Sequence, residues 1–237
     1  MANTRVDDAI SNLFESILDG TFEGGKPLPA EVELATYLEV SRPTMREAVR
    51  DLATRGILDV VHGRGTFVRP VSTWTDFSAV ALAMTRNYSE RQLGLQLSEV
   101  RIIIEVGAAG LAALKHSDEE LELMQQHLDE FDRAAATGDV EGIVAADQAF
   151  HNVILQASGN PFLESVMQPL QEILIDPRRR MGMDDTIRNR VRSHHFAIRR
   201  AIASGNDRAA EAAMRAHLEQ ARNDLVLGLP DVRPAWK

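Results

Sequence analysis

The spacing of apolar residues changes along the first 70 positions from helical to strand-like. A first helix, ending at Gly20, is predicted from the apolar positions Val6, Ile10, Leu13, Phe14 and Ile17. A short helix follows over 31–38, and after a tight turn Ser41 can cap a third helix that ends near Gly56. Residues 57–68 then give two β-rich runs around a glycine-containing turn, which predicts a hairpin.

From residue 75 onward the apolar spacing is helical and almost no strand signal remains. The predicted helices lie near 76–86, 90–115, 118–136, 140–157, 161–175, 185–203 and 207–227. The Pro- and Ser-containing stretch before them is typical of a boundary. The sequence therefore predicts a mainly α protein: a mixed N-terminal domain over 1–70, a linker over 71–76, and an all-α bundle of about seven helices over 77–230.

Composition excludes several classes of protein. The chain has 237 residues, 44% of them hydrophobic, which is enough for one large domain or two smaller ones. It has no cysteine, which excludes disulfides, thiolate metal sites and cysteine nucleophiles. No apolar run approaches the roughly 18 residues of a membrane span, and the N-terminus is charged rather than signal-like. We therefore expect a soluble cytoplasmic protein without a membrane partner.

Positive charge is concentrated locally in a chain whose net charge is -9. Residues 42–69 hold six arginines against three acidic residues, a balance of +3. On a helix, Arg42, Arg46 and Arg50 form one ridge, although like charges four residues apart repel each other by a few tenths of a kcal/mol. A ridge of this kind needs either neutralising neighbours or an anionic partner.

Two short helices joined by a tight turn and followed by a hairpin make a winged helix-turn-helix, whose second helix enters the DNA major groove. Arginine can bond a guanine edge or grip a phosphate there. The alternative is a solvated face that Glu47 and Asp51 partly neutralise, and the spacing alone does not separate the two interpretations. The hairpin turn favours DNA, because it places Arg64 between glycines, which suits a wing tip in the minor groove.

The run LPAEVELATYLEVSRPTMREAVRDLATRGILDVVHGRGTFV resembles the winged-helix domain of the GntR superfamily of bacterial transcriptional regulators. In one departure, Glu31-Val32 stands where that family usually has Glu-Arg, which implies that a DNA contact often made there is missing. Arg42 and Arg46 would read bases or phosphates. The residues predicted to bind DNA are Ser41, Arg42, Thr44, Arg46, Arg50, His62, Gly63, Arg64 and Gly65.

Ionisable residues lie on the apolar stripes of three bundle helices. The set comprises Asp147 and His151 on the helix over 140–157, His195 on that over 185–203, and His217 on that over 207–227. A lone inward histidine usually just bonds a neighbour, but four such groups from three helices favour a divalent metal site. Zinc is the expected ion, with nickel or manganese as alternatives. His194 is the uncertain neighbour, and the register favours His195 as the inward residue.

The motifs EVRIIIEVGAAGLAA, DQAFHNVILQASGNPFL, HHFAIRRAIASGN and MRAHLEQA cover nearly all of 95–222 and resemble FCD, the helical effector domain of FadR-type GntR regulators. This resemblance implies a metal on the same four residues and a small organic acid bound against it. It also implies that Arg101 lies near the carboxylate of the acid. The alternative for Arg101 is a surface salt bridge to Glu105.

Two further expectations concern the bundle. The run Arg178-Arg179-Arg180 is interpreted as a solvated loop or a dimer contact rather than a second anion site. Phe150, Phe162 and Met167 are interpreted as core residues.

Three functions fit these features. The first is a ligand-responsive regulator, a homodimer that reads two half-sites of a pseudo-palindromic operator, and by family resemblance a repressor. The second is a metal-dependent hydrolase, which the sequence disfavours because no general base is evident beside the site and a DNA reader has no role in it. The third is a sensor for which the metal itself is the signal. We predict a regulator and not an enzyme.

Overall fold

The computed structural model describes residues 5–228, without the side chains at positions 87, 172, 176, 177, 180 and 181. Residues 1–4 and 229–230 of the predicted domains lie outside this range. The contacts divide the chain between Asn87 and Tyr88 into two compact units. Within the described residues, no helix is long and apolar enough to cross a membrane.

The N-terminal unit is a winged helix-turn-helix, as predicted. Its elements are α1 (Arg5–Leu18), α2 (Glu31–Tyr37), α3 (Arg42–Thr54), β1 (Leu58–Val61), β2 (Gly65–Val68), a short 3-10 helix (Val71–Thr73) and α4 (Phe77–Asn87). The Ser41 hydroxyl accepts a hydrogen bond from the backbone N–H of Thr44 at 3.2 Å and so caps α3. The inner face of α3 is apolar, with Met45, Ala48, Val49 and Leu52 buried.

The wing is an antiparallel hairpin in which Leu58 pairs with Val68 and Val61 with Gly65. The segment over 26–28 adds to the free edge of β2: the Leu28 N–H donates to the Thr66 carbonyl at 2.8 Å, and the Val68 N–H to the Lys26 carbonyl at 3.2 Å. Backbone bonds on both sides of β2 hold the wing to the body of the unit.

Helix α4 belongs to the N-terminal unit, whereas the sequence placed it in the bundle. Ala79 and Ala83 are buried in the N-terminal core. The linker before it is also fixed, because Trp74 Nε1 donates to the Arg69 carbonyl at 2.8 Å and Thr75 Oγ1 to the Arg55 carbonyl at 2.9 Å. The boundary therefore falls after α4, not within the predicted linker.

The C-terminal unit is an all-α bundle. Its helices are α5 (Glu90–Lys115), α6 (Asp118–Thr137), α7 (Val140–Ala157), α8 (Pro161–Ile173), α9 (Ile175–Gly182), α10 (Asp185–Ala203) and α11 (Asp207–Gly228). Helix α5 packs against α7 and α11, and α6 packs along α7. Phe150, Met124 and Ile198, each almost wholly inaccessible, fill the core between them. Seven helices of the described chain form this unit, the number expected, but the set is different.

Two expectations about the bundle are wrong. The segment containing Arg178 is the helix α9, not a solvated loop. Consecutive residues of a helix point in different directions, so Arg179 pairs with Glu141 near the surface, whereas the Arg178 side chain is only 9% exposed. The side chain at 180 lies outside the described set. Phe150 and Met167 are core residues, but Phe162 is 78% exposed, since it lies beside the buried stripe of α8 rather than on it.

Candidate metal centre and DNA interface

The predicted arginine ridge is exposed on α3. Because the apolar residues of α3 face the core, Arg42, Arg46 and Arg50 are left on the outer surface. Arg46 Nε lies 3.2 Å from Glu31 Oε2, and Arg50 Nη1 lies 3.3 Å from Glu47 Oε1. Exposed pairs of this kind contribute about 0–1 kcal/mol, so they neutralise the ridge only weakly.

The tip of the wing is exposed from His62 to Gly65. Gly63 and Gly65 have φ of 74° and 112°, the region that favours glycine, and they hold Arg64 at the tip. The nine residues expected to bind DNA thus belong to one unit. Eight of them are exposed, and the ninth, Thr44, is half-buried.

Three of the four predicted metal ligands meet inside the bundle. His151 of α7, His195 of α10 and His217 of α11 are buried, and one ring nitrogen from each lies within 4.8 Å of the others. The interior position follows from the apolar stripes, since each histidine lies among the buried residues of its helix. Imidazole nitrogens are common ligands of zinc and other divalent transition metals.

Asp147 lies one turn before His151 and joins two of the imidazoles. Its Oδ1 is 3.5 Å from His195 Nε2 and 3.9 Å from His151 Nε2. Two ligands of a tetrahedral zinc ion with bonds of about 2.1 Å are separated by about 3.4 Å. The pair formed by Asp147 and His195 therefore already has this spacing. Among the described residues, His195 Nε2 is buried without a hydrogen-bond partner, which fits a nitrogen whose lone pair binds a metal ion.

Two of the three histidines, His195 and His217, are held in the neutral form that binds metals. Burial lowers the pKa of His195 to about 3, although the nearby Asp147 carboxylate opposes this shift. Burial likewise lowers the pKa of His217 well below its usual value, and the other imidazoles act in the same direction. Neutral imidazoles carry the lone pair that a metal requires, so these residues fit a divalent ion.

His151 is held from behind by Glu105 of α5. Its Nδ1 lies 2.6 Å from Glu105 Oε2, a close contact that is not aligned as a hydrogen bond. Glu105 is itself fixed by Arg101, whose Nε and Nη2 lie 2.5 and 3.3 Å from its two oxygens. Arg101 and His151 hold the Glu105 carboxyl ionised against burial, so its pKa lies well below the usual range. An outer carboxylate of this kind orients a metal-binding imidazole.

A cavity of about 60 Å³ adjoins this cluster. Its polar lining includes Arg101, Asp147, Arg178 and His217, and apolar side chains such as Ile143 and Leu225 make up much of the rest. A water molecule needs about 10–15 Å³ on this measure, so the space equals that of roughly four waters. A compact organic anion of a few heavy atoms would fill it.

Comparison with known proteins identifies the families of both units. The model of the bacterial regulatory proteins of the gntR family matches residues 5–68, and that of the FCD domain matches residues 96–220. The chain is a GntR-family transcription regulator with an FCD domain. The family and the relatives below are regulators rather than enzymes, so the prediction of a regulator is confirmed.

Two curated relatives of this GntR-family regulator come from Escherichia coli K12. It is 30% identical to the putative L-lactate dehydrogenase operon regulatory protein, over 90% of this chain and 84% of the relative. It is 29% identical to the galactonate operon transcriptional repressor, over 90% and 93%. A solved structure of Streptococcus agalactiae GntR has a TM-score of 0.53 and 28% identity, over 92% of this chain and 99% of that one.

Two residues of the regulator's site were missed from the sequence. Glu105 was considered only as a surface partner of Arg101, yet the pair is buried and touches His151. The spacing of four residues was a signal for the pair but not for its burial. Arg178 lay within a run of charges, where sequence alone gives no indication of which arginine turns inward.

We expect the metal-free regulator to lose stability as the pH falls below about 6.5. The pKa values of His195 and His217 are lower in the folded protein than in the unfolded chain, so the unfolded chain takes up protons first. Their contribution is therefore complete above pH 6.5 and falls by up to about 1.4 kcal/mol per pH unit for each histidine below it. Urea denaturation of chelator-treated protein at pH 7 and pH 5 measures the loss. In a His195→Gln, His217→Gln double variant the free energy of unfolding should depend less on pH. An equal pH dependence in the variant and the wild type would show that these two histidines do not cause the loss.

Proposed function

We propose that this protein is a repressor that binds a short pseudo-palindromic operator as a homodimer and is released by a small organic acid bound beside a divalent metal. The observation that carries the proposal is the meeting of three buried imidazoles next to a largely apolar cavity that Arg101 and Arg178 also line. Because the same chain contains a GntR-family DNA-binding unit, a ligand at that site could regulate DNA binding.

The DNA side of the proposal rests on the exposed ridge of α3 and the wing. Arg42 and Arg46 would contact bases or phosphates, with Arg50 on phosphate and the Ser41 and Thr44 hydroxyls assisting. His62 and Arg64 at the wing tip would enter the minor groove, where the flanking glycines allow close approach.

The metal side rests on the chemistry of the donors. His151, His195, His217 and Asp147 would hold the ion, and this nitrogen and oxygen set suits zinc, with nickel or manganese as alternatives. When bound, the ion would supply positive charge and an open coordination position for an acid. The chain's residues supply the orientation of the imidazoles and a largely apolar wall that excludes water.

A 2-hydroxy acid is the effector class that we propose. The cavity accepts an anion of few heavy atoms, and Arg101 and Arg178 line it. The names of the two relatives refer to an L-lactate dehydrogenase operon and a galactonate operon, and lactate and galactonate are both 2-hydroxy carboxylates. A carboxylate with an adjacent oxygen can bond a guanidinium and a metal together.

Dimerisation through the helical unit is supported by apolar side chains that are left exposed on it. Ile103 on α5 and Phe162 on α8 are each 78% exposed, and Leu114 on α5 is 63% exposed. A contiguous apolar patch on a surface is typical of protein interfaces, and Ile103 and Leu114, three turns apart, lie on one face of α5. A two-fold dimer would present two winged units to two half-sites.

Operator binding in the presence of metal and acid tests the proposal. We expect zinc-loaded protein to bind DNA from its own promoter, and a saturating 2-hydroxy acid to weaken that binding by about 5- to 150-fold, the usual range of coupling between two ligands. Fluorescence anisotropy with labelled duplex, titrated with L-lactate or glycolate, measures the change. Undiminished binding with every acid would refute it, and binding that follows zinc alone would establish a metal sensor instead.

A further inference from the structure

Arg178 is a buried cation with unused hydrogen-bonding capacity. Its side chain is 9% exposed and its Nε lies 2.8 Å from Asp147 Oδ2, in a contact that is not aligned as a hydrogen bond. Within the described part of the chain, its Nη1 is buried and has no hydrogen-bond partner. An unsatisfied buried donor destabilises a protein, and more so when it is charged, so a site that retains one is suited to an anion.

Arg101 is differently placed, although it lines the same cavity. Two of its nitrogens contact the two oxygens of Glu105, and both side chains are almost completely buried, at 10% and 3% exposure. Glu105 in turn contacts His151. A guanidinium that pairs with a carboxylate through two nitrogens has its fork occupied, so Arg101 has less capacity for a second carboxylate.

Asp147 connects Arg178 to the predicted metal. Its Oδ1 faces His195 and His151, whereas its Oδ2 faces Arg178. An ion on Oδ1 and the guanidinium on Oδ2 would therefore be neighbours without competing for one oxygen atom.

The charge balance of the cluster also favours an anion. Arg101 and Arg178 contribute +2 and Glu105 and Asp147 contribute -2, so the four side chains sum to zero. A divalent ion would leave an excess of +2 in a largely apolar cavity. Buried charge is costly unless it is compensated, and a carboxylate would offset part of this excess.

We propose that Arg178, rather than Arg101, binds the carboxylate of the effector. Arg101 is a positioning residue, which holds Glu105 against His151 and so orients that imidazole for the metal. This inference rests on the proposed function, since it assigns the anchor of the acid within the same site. The volume of the cavity favours a compact acid, and L-lactate, a small 2-hydroxy monocarboxylate, is a convenient probe.

The test compares variants of the full-length, zinc-loaded protein by isothermal titration with L-lactate, with glycolate as a second probe. We expect Arg178→Gln to weaken binding at least about tenfold, the effect of losing a charge-assisted pair of about 1.4 kcal/mol or more. Zinc content should stay as in the wild type. The matched control is Arg179→Gln, since Arg179 is the adjacent arginine of α9 but pairs with Glu141 near the surface. This variant should bind L-lactate with the affinity of the wild type.

Arg101→Gln is expected to weaken zinc binding, measured by competition with a chelator, whereas Arg178→Gln should leave zinc binding unchanged. Arg178→Lys keeps the buried charge, so it should fold like the wild type. Because it loses the planar guanidinium, it should bind the acid more weakly than the wild type does. Wild-type affinity in both Arg178 variants would overturn this inference and leave the proposed function standing. Failure of the wild type to bind any 2-hydroxy acid would instead remove the proposed effector, and this inference with it.

Discussion

Replacing His195 with alanine is expected to lower zinc affinity by more than about 100-fold and to abolish the response to acid. The loss should exceed the 10- to 100-fold that removal of an outer-shell partner costs, because His195 is proposed to bond the ion directly. Its ring is 1% exposed and its Nε2 lies 3.5 Å from Asp147 Oδ1. Operator binding without acid should persist, since no residue of the DNA-binding unit changes.

Packing and metal binding must be separated in this variant. The His195 ring stacks on Phe150 with 4.4 Å between centroids, so its removal also leaves a void in the core. The deciding measurement is therefore the rise in melting temperature that added zinc produces, not the melting temperature itself. Zinc at 1,000 times the wild-type dissociation constant stabilises the wild type by about 4 kcal/mol, and after a roughly 100-fold loss of affinity the same concentration would stabilise His195→Ala by at most about 1.4 kcal/mol.

His194→Ala is the matched control. His194 is the adjacent histidine of α10 and is only half-buried, with its ring 5.8 Å from that of His217 between centroids. We expect zinc content, measured by atomic emission on purified protein, to remain as in the wild type. Zinc lost from His194→Ala and kept in His195→Ala would reverse the assignment of the ligand.

Replacing Arg46 with alanine is expected to cost about 1–3 kcal/mol of operator binding, a loss of roughly 5- to 150-fold, if this side chain reads a base. Its present partner is Glu31, at 3.2 Å on an exposed surface. Such a pair contributes at most about 1 kcal/mol, so DNA can displace it. A bidentate bond to a guanine edge would contribute more than the lost pair.

Binding to the operator and to a scrambled duplex distinguishes the two possible roles of Arg46. If Arg46 contacts a base, its loss should weaken binding only to the operator. If it contacts a phosphate, its loss should weaken binding to both duplexes and reduce the slope of log affinity against log salt concentration by about one. The control is Arg208→Ala, which removes the same charge from the exposed surface of the C-terminal unit. Unchanged affinity of Arg46→Ala for both duplexes would exclude Arg46 from the interface.

The sequence predicted the elements with strong periodicity and clear termini. Helix α3 was predicted because Ser41 caps it and because Met45, Ala48 and Leu52 recur on one face. The three histidines were identified as inward-facing because each lies on an apolar stripe. Helix α9 was missed, since it has only eight residues and a run of arginines conceals its buried face.

The amino-acid sequence by itself determined which residues could serve DNA and metal chemistry: the arginine ridge, the glycine-flanked wing tip, and imidazoles on the inner faces of three helices. These are local properties, because helical spacing fixes which side chains share a face. Only the tertiary structure decided which charges pair. Glu105 turned out to support His151, and Arg178 rather than Arg179 turned inward, because these partners come from helices distant in the chain and are selected by packing rather than by spacing.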